Sequence, residues 1–188
     1  MRLILIRHPK PDVGPGVCYG RTDVAVAPAQ LERTMAALPD VLPADLPLHL
    51  PVYASPLQRC SLLARRMSPA PIFDARLVEM DFGDWEMQSW DDIARTDIDA
   101  WAADVTNHRP GGGESVLQMA TRIAAFYADL QRQLGNAGQA IVVCHAGTMR
   151  LLAACHAGLL PADMAQLAAA TPHQIPYGSV LVLPHADD

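Results

Sequence analysis

The stretch Arg2-Leu3-Ile4-Leu5-Ile6-Arg7-His8-Pro9 decides the fold class. Residues 2–6 form a short apolar run rich in branched side chains, which predicts a strand buried on both faces of a parallel sheet. In open α/β sheets, ligands bind beyond the carboxyl ends of the strands, and Arg7 and His8 fall at that edge. A guanidinium can hold two phosphate oxygens, and an imidazole beside it can attack phosphorus. A buried strand that merely ends in polar residues fits the same eight residues, so other motifs must decide.

A second apolar run, residues 140–144, ends at His145 in the same way. We expect another buried strand there, which gives His145 and His8 equivalent positions at strand ends. Cys-His-Ala-Gly occurs at 144–147 and again at 155–158, where it follows a helical pattern. We interpret the second copy as a helix C-terminus and not as half of a metal site.

The segment around Ser55 and Arg59 predicts an anion site. Residues 52–55 read as a strand, followed by a helix over residues 57–67 with Ser55 as its N-cap and Arg59 in its first turn. A helix N-terminus already attracts anions, so an arginine there is unfavourable unless an anion lies beside it. An ordinary exposed arginine is the alternative.

Two further stretches are candidates for contact with a ligand. Residues 9–27 contain three prolines and three glycines, which predicts a long loop that can fold back over the end of the first strand. The stretch Glu-Met-Asp-Phe-Gly-Asp-Trp-Glu at 79–86 sets carboxylates among aromatic rings, and burial against rings favours a protonated acid. A surface turn is the alternative for 79–86. We interpret Trp90 and Trp101, within short helices predicted over 89–107, as packing residues.

The remaining pattern completes an α/β chain. Helical spacing predicts helices over 28–38, 116–134 and 147–156, and further strands are expected at 71–74 and, antiparallel at the edge, at 179–183. The stretch Pro-Gly-Gly-Gly-Glu-Ser at 110–115 lacks the Gly-Lys-Ser/Thr ending of a nucleotide-binding loop, so it predicts only the entry to a long helix.

Composition limits the class of partner. The 188 residues suffice for one domain, residues 1–188, and 51% are hydrophobic, as in a globular protein. Acidic residues outnumber basic ones by 20 to 14, which disfavours nucleic acid but leaves a small anionic substrate open. No apolar run matches a membrane span or a signal peptide, so we expect a cytoplasmic protein. The four cysteines form no CxxC pair, which indicates reduced thiols and no zinc site.

Four motifs together resemble the histidine phosphatase superfamily, whose fold is that of phosphoglycerate mutase. They are the strand ending in Arg7-His8, Ser-Pro-Leu-x-Arg at 55–59, a glutamate before Phe-Gly-x-Trp-Glu at 79–86, and Cys-His-Ala-Gly at 144–147. Each alone is weak, but four in this order are specific. Cys-Tyr-Gly-Arg-x-Asp at 18–23 and the 110–115 stretch are most similar to the bacterial branch that includes α-ribazole phosphatases.

The resemblance implies an α/β three-layer sandwich, with a mostly parallel central sheet and helices on both faces. It implies that His8 is the nucleophile that becomes phosphohistidine and that Glu79 is the general acid, with no cofactor and no metal. The substrate-binding residues that it implies are Arg7, Arg21, Arg59, His145, Ser55 and Tyr19, of which Arg7, Arg59 and His145 also act in catalysis. His8 must be neutral to attack, and we expect His145 to be protonated.

Two departures from the family pattern affect the function. Pro9 stands where the family usually has glycine, which removes an amide donor beside His8. Met80-Asp81 follow the general acid where mutases have basic residues, which favours a phosphatase over a mutase. Tyr19, Arg21 and Trp85 are expected to offer a surface to the leaving group.

These features predict a metal-independent phosphomonoester hydrolase that works on a small phosphorylated metabolite, with α-ribazole 5′-phosphate of cobalamin biosynthesis as the hypothesised substrate. The alternatives are a phosphoglycerate mutase, a sugar or protein-phosphohistidine phosphatase, and a phosphate-binding module that has lost turnover, with Pro9 as the suspect change. A small phosphomonoester is the expected partner, with no nucleic acid and no membrane. The sequence leaves a homodimer open.

Overall fold

The computed structural model describes residues 1–171 and 175–185. Its strands are β1 (Arg2–Arg7), β2 (Val52–Ala54), β3 (Ile72–Phe73), β4 (Gln139–Cys144) and β5 (Val180–Leu183). They form one sheet in the order β3-β2-β4-β1-β5, in which β5 alone runs antiparallel. The apolar run that opens the chain therefore lies inside the sheet between β4 and β5, and β5 is the antiparallel edge strand that the sequence predicts.

The described residues form six α-helices, with one or two helices between successive strands. They are α1 (Pro28–Val41), α2 (Gln58–Met67), α3 (Arg95–Ala103), α4 (Val116–Leu134), α5 (Ala146–His156) and α6 (Pro161–Ala170). The predicted long helix has the bounds of α4, and its N-terminus is a reciprocal cap in which Ser115 and Gln118 bond each other's backbone amides. The segment predicted as short helices over 89–107 contains only α3.

Alternation along β1 divides the core between the two faces of the sheet. Leu3 and Leu5 pack with α4, α5 and α6, whereas Ile4 and Ile6 pack with α1 and α2. All four side chains are fully buried. The expected three-layer sandwich with a mostly parallel sheet is therefore confirmed.

Three parallel strands end together at one edge of the sheet. Arg7 is in register with Cys144, and Ala54 with Val143. The residues that follow these strands are consequently neighbours: the amide of His8 donates to the carbonyl of Cys144 at 3.0 Å, and the amide of Ser55 donates to the carbonyl of Val143 at 3.1 Å. Helices α2 and α5 both begin at this edge, so their positive ends add to its attraction for anions.

Two local features differ from the sequence predictions. Ser55 is not the N-cap of α2; Leu57 is, because Pro56 intervenes and the chain stays extended through Leu57. Helix α6 was not predicted at all.

Cys18, Cys60 and Cys144 are buried free thiols, and Cys155 is a half-buried one. Within the described ranges, no helix is long and apolar enough to cross a bilayer.

Candidate active site

His8 is buried and its tautomer is fixed by the main chain. Only 2% of its surface is exposed, and Nδ1 lies 2.7 Å from the carbonyl oxygen of Pro9. Because a carbonyl only accepts, Nδ1 carries the proton and Nε2 keeps its lone pair. Burial lowers the pKa of His8 to about 3; the bond to Pro9 opposes this, and the charges of Arg59 and Arg7 add to it. His8 is therefore a neutral imidazole with a nucleophilic Nε2.

His145 has the opposite tautomer. Nε of Arg59 donates to its Nδ1 at 3.3 Å, so the proton resides on Nε2, which donates to Oγ of Ser55 at 2.9 Å. Burial lowers the pKa of His145 well below its usual value, and the neighbouring His8 and Arg59 act in the same direction. The structure therefore contradicts the expectation of a protonated His145, because the ring is buried and its Nδ1 accepts a hydrogen bond from the cation Arg59. The two imidazole rings meet edge to face, 5.0 Å apart.

Arg59 is fully buried at the start of α2 and clamps the predicted loop. Nη1 donates to the carbonyl of Thr22 at 2.6 Å, and Nη2 donates to the carbonyl of Gly20. Together with the bond to His145, three of its five N–H groups have partners among the described residues. The long loop thus folds back over the end of β1, as the sequence predicts, and Arg59 is the residue that holds it.

Two tyrosines from distant segments meet above the arginines. The hydroxyls of Tyr19 and Tyr177 lie 2.8 Å apart. The ring of Tyr177 lies 3.9 Å from the guanidinium carbon of Arg7, and the ring of Tyr19 lies 5.5 Å from that of Arg59. Tyr177 also contacts the ring of His8, with centroids 5.5 Å apart. The two rings therefore cover the arginines on one side of His8.

Glu79 is held in place by backbone amides. Oε2 accepts from the amide of Gly147 at 2.9 Å, and Oε1 accepts from the amide of Met80 at 3.1 Å. Gly147 belongs to the first turn of α5, so the carboxylate sits against a helix N-terminus. A Cβ on residue 147 would lie 2.4 Å from Oε1 of Glu79, which explains why glycine follows the His-Ala pair.

An ion pair supports the segment that carries Glu79. Arg122 bonds both carboxylate oxygens of Glu114 at 2.7 and 2.8 Å. Its Nη1 donates to the carbonyl of Val78 at 2.7 Å, and its Nη2 to that of Glu79 at 3.3 Å. Glu114, from the glycine-rich stretch, holds Arg122, and Arg122 in turn fixes the main chain at Val78 and Glu79.

One cavity of about 520 Å³ is lined by His8, Arg59, Glu79 and His145. Its lining combines both histidines and several charged groups with many apolar side chains. The cavity lining includes the side chains of Arg7, His8, Tyr19, Arg59, Glu79, Met80, Phe82, Trp90, Trp101, Val105, Val116, Met119, His145, Arg150 and Tyr177. Among the described residues, no three His, Cys, Asp or Glu side chains are grouped to hold a metal ion.

A model of the histidine phosphatase superfamily, branch 1, matches residues 3–183. The chain belongs to this superfamily. The histidine phosphatase is 30% identical over 174 residues to the adenosylcobalamin/α-ribazole phosphatase of Escherichia coli strain K12, covering 87% of this chain and 82% of that protein. It is also 30% identical to the protein of the same name from Salmonella typhimurium, covering 82% and 78%. It is therefore a phosphatase that acts on a small phosphorylated substrate.

Solved structures agree with this family. The α-ribazole phosphatase from Shigella flexneri superposes on the histidine phosphatase with a TM-score of 0.79 at 25% identity, over 97% of this chain and 89% of that one. A mycobacterial glucosyl-3-phosphoglycerate phosphatase gives 0.71, also at 25% identity, over 88% and 84%.

The histidine phosphatase brings most predicted site residues together. Arg7, His8, Tyr19, Arg59, Glu79 and His145 line the cavity, and Ser55 lies behind His145. Arg21 instead lines a neighbouring depression, where Nη1 meets Oδ2 of Asp81 at 3.1 Å. Trp85 is 5% exposed and does not line the cavity, whereas Trp90 and Trp101 do.

Sequence reasoning missed Tyr177 and Arg150. Tyr177 precedes β5, and an antiparallel strand beside β1 must begin where β1 ends; the predicted edge strand therefore contained the signal for Tyr177. Arg150 lies on α5, half-buried, and donates to the carbonyl of Ala168 and the hydroxyl of Thr171. Arg150 reaches the cavity because of the way α5 is oriented, and the sequence pattern does not indicate which face of α5 lines the cavity.

Proposed function

We propose that the protein is a metal-independent phosphomonoester hydrolase that works through phosphohistidine at His8. The observation that carries the proposal is the bond from Nδ1 of His8 to the carbonyl of Pro9, which leaves Nε2 unprotonated in the cavity. A neutral imidazole between two arginines is suited to attack a phosphoryl group whose charge those arginines neutralise.

In the first step, the lone pair of Nε2 attacks phosphorus and the bond from phosphorus to the ester oxygen breaks. The leaving oxygen takes its electron pair and receives a proton from Glu79, whose carboxylate has accepted that proton from the entering ester monoanion. The imidazole of phosphohistidine then carries positive charge, which the carbonyl of Pro9 stabilises through Nδ1–H. Arg7, Arg59 and the amides at the start of α5 stabilise the negative charge on the phosphoryl oxygens.

In the second step, water attacks phosphorus and Glu79, now a carboxylate, accepts its proton. The bond between phosphorus and Nε2 breaks, its electron pair returns to Nε2, and phosphate leaves. His145 is proposed to contact a phosphoryl oxygen from the floor of the site, while Ser55, which lies behind it, positions the ring through its bond to Nε2. A phosphate dianion there would offset the mutual repulsion of the buried cations.

The geometry counts against a binding module that has lost turnover. Pro9 removes an amide donor but contributes the carbonyl that fixes the tautomer of His8. Glu79 is held by two amides beside the same cavity, and a site that only binds a dianion has no use for a carboxylate there.

The proposed substrate is α-ribazole 5′-phosphate, supported by the names of the curated relatives and by the apolar side chains that line the cavity. Met80 lines the cavity directly after Glu79 where a mutase needs cations. Arg150 favours a second candidate, the phosphatase of a sugar phosphate with an anionic leaving group, because it adds a guanidinium to the same cavity.

A substrate panel tests the proposal. Phosphate release from α-ribazole 5′-phosphate, 3-phosphoglycerate and ribose 5-phosphate is measured with and without excess chelator. We expect turnover to survive chelation and kcat/KM for α-ribazole 5′-phosphate to exceed that for 3-phosphoglycerate by roughly a hundredfold. Loss of activity in chelator, restored by a divalent metal, would contradict the arginine-based chemistry. A preference for 3-phosphoglycerate would favour the second candidate.

A further inference from the structure

The apolar lining of the cavity includes aromatic residues that belong to one cluster. The chain has three tryptophans, and Trp85, Trp90 and Trp101 all belong to this cluster together with Phe82. Trp90, Trp101 and Phe82 line the cavity, and we call these three side chains the aromatic wall.

The rings of the aromatic wall support one another. The planes of Trp90 and Trp101 are 13° from parallel with centroids 6.1 Å apart, and Phe82 stands nearly perpendicular to both. Behind them Trp85 meets Trp90 and Trp101 edge to face, with centroids 6.2 and 5.9 Å apart. A wall fixed in this way loses little side-chain entropy when a ring of a ligand packs against it.

The aromatic wall begins where the leaving oxygen would be protonated. Glu79 is followed by Met80 and Phe82, and all three line the cavity. On the other side of His8, the hydroxyl pair of Tyr19 and Tyr177 covers the arginines. An ester with its phosphate at His8 and its leaving oxygen at Glu79 therefore has the wall in the same cavity to receive its alcohol portion.

We propose that the aromatic wall is the leaving-group subsite and that it selects phosphomonoesters whose alcohol carries a flat aromatic ring system. This inference rests on the proposed function, and it assigns the subsite to Trp90, Trp101 and Phe82 and not to Arg21 and Trp85. Stacking of a ring on one aromatic side chain raises affinity by about tenfold, and the effect is absent for an ester without the ring.

The test compares two esters that share phosphate and ribose. α-Ribazole 5′-phosphate carries a benzimidazole ring on the ribose, and ribose 5-phosphate has none. We expect Trp90→Leu and Trp101→Leu each to lower kcat/KM for the ring-bearing ester by about tenfold and to leave ribose 5-phosphate within about twofold. Trp90→Phe keeps an aromatic face and should retain most of the preference. Trp85→Phe is the matched control, since Trp85 belongs to the same cluster but does not line the cavity.

Equal losses on the two esters would overturn the inference, because a wall that serves only folding cannot distinguish them. A wild-type enzyme that turns over both esters equally well would overturn it too. Binding gives a readout that does not depend on catalysis: the unphosphorylated nucleoside α-ribazole should quench tryptophan fluorescence saturably in the wild type and much more weakly in Trp90→Leu. Absence of turnover on both esters would contradict the proposed function. The fluorescence titration would still test the inference, because a wild type without quenching would overturn the assignment of the aromatic wall.

Discussion

At the scale of single residues, the chemistry depends on which ring nitrogen of each histidine carries a proton. The carbonyl of Pro9 accepts a hydrogen bond from His8 and so keeps the proton of His8 on Nδ1, whereas Nε of Arg59 donates to Nδ1 of His145 and so keeps the proton of His145 on Nε2. Both rings are neutral because burial disfavours a third and fourth cation beside Arg7 and Arg59. A proline at position 9 is compatible with this arrangement, since the main-chain group that matters is a carbonyl.

Glu79→Gln tests the general acid. An amide cannot donate an acidic proton, so an alkyl leaving group such as that of ribose 5-phosphate should leave about 10²–10⁴ times more slowly. The first step with 4-nitrophenyl phosphate should be much less affected, because nitrophenolate leaves without protonation. The measurement is the rapid burst of 4-nitrophenol against single-turnover release of ribose. Equal losses in both first steps would show that Glu79 is not the acid.

Gly147→Ala tests the contact between α5 and Glu79. The added Cβ would lie 2.4 Å from Oε1, so the carboxylate must move while the helix stays in place. We expect kcat for ribose 5-phosphate to fall at least about tenfold, with a change in unfolding free energy under about 1 kcal/mol. Gly14→Ala is the control, because a Cβ at residue 14 makes only an ordinary contact with Val17 at 3.8 Å. An unchanged kcat would mean that the observed position of Glu79 is not the productive one.

At the scale of elements, the active site is formed by loops that hydrogen bonds hold against the ends of the strands. The carboxylate of Glu86 accepts hydrogen bonds from the amides of Gly20, Arg21, Thr22 and Phe82 and from the Thr22 hydroxyl. Burial favours a raised pKa for Glu86, but these bonds outweigh it and hold the pKa below its usual value. Glu86 and Arg59 therefore fix residues 18–23 from two sides.

Glu86→Gln should loosen this loop, since a neutral amide oxygen accepts weaker hydrogen bonds and the added NH₂ group repels the surrounding donors. We expect a loss of about 1–3 kcal/mol in unfolding free energy, measured by urea denaturation at pH 7. Glu32→Gln is the control, because Glu32 forms an exposed, solvent-screened pair with Arg66 that contributes little to stability. Equal losses in both variants would argue that Glu86 is an ordinary surface carboxylate.

Elements with strong local signals could be predicted from the sequence. Helix α4 has a capping sequence and apolar spacing of three and four, and its bounds were predicted correctly. Helix α6 lacks such a pattern despite Pro161 at its first position, because its apolar residues spread around the helix. Trp90 and Trp101 do pack, as predicted, but the role that we propose for them depends on a cavity whose lining comes from α3, α4 and α5 together.

At the scale of the whole molecule, the sheet order decides which residues meet. His8, Ser55 and His145 could be predicted as neighbours because they follow parallel strands that end at one edge. The ring tautomers could not, because they depend on contacts between side chains and loops remote in sequence. The net charge of −6 also conceals a site lined by Arg7, Arg59 and Arg150.

Stability should fall on acidification because of the buried histidines. An unfolded histidine binds a proton below about pH 6.5, whereas folded His8, with its pKa lowered to about 3, does not. The unfolded state therefore binds more protons between pH 6.5 and about 3, and stability is greatest above pH 6.5 and decreases as the pH falls. His145 acts in the same direction.

Urea unfolding at pH 7.5 and pH 5.5 measures this effect. Between these two pH values, His8→Asn should lose about 1.4 kcal/mol less than the wild type, because one buried neutral histidine has been removed. His49→Asn, at an exposed position, should behave as the wild type does. Identical losses in His8→Asn and the wild type would contradict a neutral, buried His8.

The formation of phosphohistidine at His8 tests the central claim most directly. Glu79→Gln is mixed with 4-nitrophenyl phosphate, so that the first step proceeds and hydrolysis of the intermediate is slowed, and the reaction is quenched in alkali, where phosphohistidine survives. We expect one phosphoryl group per chain, acid-labile, on the peptide that contains His8. No phosphoenzyme should form in the double variant that also carries His8→Ala, whereas His49→Ala in the same background should leave the yield unchanged. A phosphoryl group on another residue, or a His8→Ala enzyme with near-normal kcat, would contradict the account.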